Sequence, residues 1–69
     1  MLILVTPKGE RVYRHDQIMK AIVECLFDKN RFDPESVNLY KVDGSGVNTH
    51  RLVVDRLVLE WEEVPKLTL

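Results

Sequence analysis

Apolar residues come along this chain in short bursts whose spacing changes character several times. Leu2 to Thr6 is a continuous apolar run closed by Pro7-Lys8-Gly9, the pattern of a buried strand followed by a turn. Val12 and Tyr13, set between Arg11 and Arg14, predict a second, shorter strand that folds back as a hairpin through Gly9. From Gln17 to Lys29 the spacing shifts to one, three and four. Ile18, Met19, Ile22, Val23, Leu26 and Phe27 make one broad helical stripe, with Lys20, Glu24 and Asp28 opposite it. Asp16 is the expected N-cap, and Asn30 the residue expected to end the helix in a left-handed conformation.

Asp33-Pro34-Glu35-Ser36 suits a tight turn or a single helical turn. Val37 to Val42 then reads as a strand, with Val37 and Leu39 facing one way and Tyr40 and Val42 partly the other. Asp43-Gly44-Ser45-Gly46 is a strong turn signal between antiparallel strands. The last third supports two readings. Leu57, Leu59 and Trp61 alternate with Val58, Glu60 and Glu62, as in a strand. Yet Val53, Val54, Leu57, Val58, Trp61 and Val64 also fit a helical stripe, with Thr49 as a cap. The strand reading is adopted, and Pro65 ends the element in either case.

The resulting order is β-β-α-β-β with room for one more strand, an α+β fold with one helix on a small, mostly antiparallel sheet. Residues 1–65 form a single domain and residues 66–69 a flexible tail. Hairpin, then helix, then further strands resembles the β-grasp arrangement of ubiquitin-like proteins. The resemblance is architectural: the sequence closes on Leu67-Thr68-Leu69 rather than on the diglycine that conjugated or sulfur-carrying members use. Nothing of their activity is carried over.

At 69 residues, such a domain buries only about 60% of the surface its extended chain exposes, so its core is small. Cys25 is the one cysteine, which excludes an internal disulfide and a cysteine zinc site. A partner covering part of the surface is therefore considered from the outset. The net charge of −1 argues against nonspecific nucleic-acid binding. Charge is nonetheless uneven: residues 1–31 carry six basic and four acidic side chains, residues 32–69 four and seven. No segment has the length to cross a bilayer, and the opening apolar run lacks a basic leader. With a free thiol, this leads to the expectation of a cytoplasmic protein.

Candidate chemistry is sparse. His15 and His50 stand far apart without ligand spacing, and an enzyme reading needs a pocket that brings one of them against a carboxylate. Asp28, Asn30, Asp33 and Glu35 gather oxygens in one loop, but Phe32 and Leu39 occupy positions where a calcium loop needs ligands. Asp43-Gly44-Ser45-Gly46 lacks the Lys-Ser/Thr ending of a phosphate loop. Cys25 borders the core as a small hydrophobe. No cofactor or metal is expected, and the chain is expected not to be an enzyme.

Two functions remain. Leu52, Val53, Val54, Leu57, Val58, Leu59 and Trp61 are more apolar surface than one side of a small sheet buries under one helix. The favoured expectation is a non-enzymatic protein-interaction or regulatory module, a homodimer among its forms, with Tyr40 and Trp61 as aromatic anchors. The alternative is a nucleic-acid-binding protein whose basic hairpin presents Lys8, Arg11 and Arg14, with Tyr13 stacking on a base.

Overall fold

The computed structural model describes residues 1–44, 48–55 and 58–64. Strand β1 (Leu2–Thr6) turns into β2 (Gly9–Tyr13), and a short 3-10 turn, His15–Gln17, leads into helix α1 (Ile18–Arg31). A second 3-10 turn, Pro34–Ser36, precedes β3 (Asn38–Val42), followed by β4 (Thr49–Asp55) and β5 (Val58–Val64). The five strands form one sheet in the order β2-β1-β3-β4-β5, and every pairing is antiparallel. Because β1 runs against both β2 and β3, those two run parallel to each other with β1 between them. Helix α1 makes the crossover that joins them, and it packs over β1 and β3.

The one-helix, antiparallel-sheet expectation holds, and the fifth strand is present. Of the two readings of the last third, the strand pattern prevails. Leu52 opposes Trp61 and Val54 opposes Leu59, so the alternating apolar set shares one face of the β4-β5 ladder. Leu57, Pro65 and the proposed tail 66–69 lie outside the described residues, as do Ser45 and Gly46 of the turn. Around that turn, Asp43 N donates to Asn48 O at 3.1 Å, and Asn48 Nδ2 donates to Asp43 Oδ2 at 2.9 Å.

Paired residues share a face, so the register sorts the sheet's side chains. Leu2 and Leu4 of β1, Tyr13 of β2, Leu39 of β3 and Leu52 of β4 lie under the helix with Val37, Ala21 and Cys25, and all are buried. Val37 and Leu39 face the same way, as expected. The opposite face carries Ile3, Val12, Tyr40, Arg51 and Glu62 in one cross-strand row.

Both ends of the helix differ from expectation. Asp16 does not cap α1; it sits in the 3-10 turn and pairs with Arg14 at 3.1 Å, while Gln17 takes the cap position. The Gln17 side chain accepts from Arg14 N at 3.0 Å, which holds the turn. Asn30 lies inside the helix, which runs to Arg31. It ends where Phe32 becomes extended and its N–H donates to Asp28 O at 2.8 Å. The Asp33-Pro34 segment forms the anticipated single turn, with the Asp33 carboxylate accepting from Glu35 N at 3.2 Å.

Candidate functional site

The rotation of α1 about its own axis decides what the molecule presents. Ala21 and Cys25 are fully buried, and their small side chains let the helix sit close to the sheet. Polar contacts fix the same orientation. Tyr13 of β2 donates its hydroxyl to Glu24, and the Arg11 guanidinium donates to Asp28. Asp28 is buried and also lies 3.9 Å from Arg31, so a carboxylate set opposite the apolar stripe by sequence spacing ends up against β2. At 3.6 residues per turn, this is about a third of a turn away from the orientation that would point the six-residue stripe at the sheet.

The stripe is split as a result. Ile18 and Ile22 pack on the core, while Met19, Val23, Leu26 and Phe27 face outward. Met19 is 68% exposed, and Val23 and Phe27 61% each, values usual for charged surface residues rather than for apolar ones on a regular helix. These four positions follow one another at spacings of four, three and one, so they form a continuous strip on the side of the helix away from the sheet. Arg31 crowns its C-terminal end, with the guanidinium carbon 5.6 Å from the Phe27 ring centroid and 5.2 Å from that of Phe32. The sequence pattern read all six residues as one broad stripe and did not separate this strip from the core-facing Ile18 and Ile22. The angular spread of the six, about half the helix circumference, was the available signal, because a single core-facing line is narrower.

The anchors named from sequence do not share a surface. Tyr40 opposes Ile3 and Arg51 on the face without the helix, whereas Trp61 opposes Leu52 on the helix side. Trp61 is half-buried against the core cluster, and the Lys41 ammonium sits 4.6 Å from its ring centroid. The surplus apolar residues of β4 and β5 are exposed in part, namely Val54, Val58 and Leu59.

The basic hairpin is largely neutralised by the chain itself. Arg11 is held by Glu24 and Asp28, and Arg14 by Asp16. Lys8 is exposed in the turn before Gly9, whose φ of 120° suits glycine. The expectation of an exposed ring at Tyr13 is corrected: Tyr13 is buried in the core, because the register places it opposite Leu2 beneath α1.

His15 and His50 do come to one open hollow of about 270 Å³, lined also by Lys41, Asp43 and Asn48. Four of its lining residues are engaged within the chain: His15 Nε2 meets the Met1 amino group, Asp43 holds Asn48, and Lys41 covers Trp61. Among the described residues, no group of three or more His, Cys, Asp or Glu side chains is placed to hold a metal ion. Cys25 is buried, and burial pushes its thiol up, with Asp28 adding to the rise and Lys29 opposing it. Among the described residues no helix is long and apolar enough to cross a membrane. Comparison of the chain with protein-family models, with curated proteins and with solved structures finds no match.

Proposed function

We propose that this chain is a non-enzymatic protein-interaction module whose binding surface is the outer strip of α1. The observation that supports the reading is the exposure of Met19, Val23 and Phe27 on a helix whose inner side is already satisfied by the sheet. Apolar side chains of this size gain about 1.5–3 kcal/mol each when fully buried, and packing among the described residues leaves these three exposed. A contiguous apolar strip rimmed by Lys20, Glu24 and Arg31 has the make-up of a contact surface, an apolar centre within a charged border. Tyr40 and Trp61, being on opposite faces, serve no single contact, so the anchor role passes to Phe27.

The test is a charge placed in the strip. Phe27→Glu is expected to leave the far-UV circular dichroism spectrum unchanged, because the side chain is exposed. It is also expected to abolish stable association with whatever polypeptide the wild-type chain binds. A Phe27→Glu chain that binds as the wild type does would show that the strip is not the contact surface.

A further inference from the structure

The symmetry of the strip indicates what covers it. Met19, Val23 and Phe27 stand at intervals of four, so Met19 and Phe27 lie about 6 Å along the axis on either side of Val23. A strip with this symmetry matches its own copy when the second helix runs antiparallel and the two Val23 side chains meet on a two-fold axis. Met19 then falls at the height of Phe27 of the second copy, and beside its Leu26.

Charge follows the same operation. Arg31, eight residues after Val23 and already stacked beyond Phe27, comes beside Asp16 of the second copy, seven residues before it. This opposite-charge pair occurs twice, and the antiparallel helix dipoles are also favourably aligned. A parallel arrangement would instead set Arg31 against Arg31 and Asp16 against Asp16.

We propose that α1 pairs two copies of this chain, antiparallel and back to back, with Val23 on the two-fold axis. This rests on the reading of the outer strip as a binding surface and names its occupant. A contact made by one helix from each copy belongs at the small end of specific interfaces, so the dimer is expected in concentration-dependent exchange with monomer.

Sedimentation of the full chain over a concentration series is expected to show monomer passing to dimer. Val23→Glu is expected to weaken that association at least about tenfold, since it sets two carboxylates together on the axis. Cysteine cross-linking reads the register. Under mild oxidation Val23→Cys is expected to form a covalent dimer, because helices packed 8–10 Å apart bring facing Cα atoms within disulfide range. Met19→Cys alone is not expected to do so, because its two copies stand about 12 Å apart along the axis. A mixture of Met19→Cys and Phe27→Cys chains is expected to cross-link. Cys25 does not compete, being buried.

A dimer that keeps its affinity with Val23→Glu, or in which Met19→Cys links as readily as Val23→Cys, overturns the proposal. So does a chain that stays monomeric at every concentration. If that monomer binds a different polypeptide and Phe27→Glu abolishes the binding, the strip is still the contact surface and the second copy is not its occupant. If Phe27→Glu changes no association of any kind, both readings fail.

Discussion

Arg11 carries more of the architecture than its place on an edge strand suggests. Its guanidinium reaches from β2 to Asp28 and lies 3.7 Å from Glu24, and Asp28 is a buried carboxylate whose other ion-pair neighbour is Arg31 at 3.9 Å. Removing one partner of a buried pair is costly because it strands the other charge. Arg11 is itself half-exposed, so water would replace part of what is lost. Arg11→Ala is therefore expected to lower the unfolding free energy by about 1–3 kcal/mol, measured by urea titration. Cys25 gives a second test at this scale. Its folded thiol is raised above the ordinary value near 9.0 mainly by desolvation, so the native state holds its proton longer than the unfolded chain does. The contribution is fully present below pH 9, and it is lost as the pH rises through the folded value. Stability is expected to fall above about pH 9 in wild type, and less steeply in Cys25→Ala, as read from urea midpoints across pH.

At the level of elements, the existence of each piece was legible in the sequence, but the way the helix faces was not. Leu2 to Thr6 showed the density of a central strand, and β1 does lie between two others. Asp33-Pro34 and Asp43-Gly44 marked chain reversals that the structure keeps. The helix was legible from its period, whereas its rotation came from residues with little hydrophobic weight. Ala21 and Cys25 decide how close α1 comes to the sheet, and Tyr13 and Arg11, eleven and seventeen residues before the helix carboxylates they reach, decide which flank is tied to β2. Periodicity weighs residues by apolarity and so favoured the larger Met19, Val23 and Phe27. If close approach at Ala21 sets the rotation, Ala21→Leu should overpack the contact and cost about 1–3 kcal/mol in thermal or urea unfolding. The candidate site was illegible for the same reason: the strip becomes a surface only because other residues take the core.

At the scale of the whole molecule, the sheet consists of two locally formed parts. One is the β1-β2 hairpin; the other is the run of β3, β4 and β5, in which each strand pairs with its neighbour in sequence. The small core and the apolar outer strip belong to one picture: 69 residues bury less of their surface internally than a larger domain does, and on the proposed reading a second molecule covers the strip. The two parts of the sheet are joined by a single ladder, β1 against β3, which matches Leu2 with Lys41 and Val5 with Asn38 across about half of the chain's length. That arrangement sets the order of events when the chain folds. The hairpin and the meander close short loops and can form early. The β1-β3 seam must close a loop of more than thirty residues, whose entropy is lost before its contacts are gained. The seam is thus the kinetic bottleneck, and substitutions along Leu4 and Leu39 should slow folding itself, while those at the outer strands β2 and β5 mainly hasten unfolding.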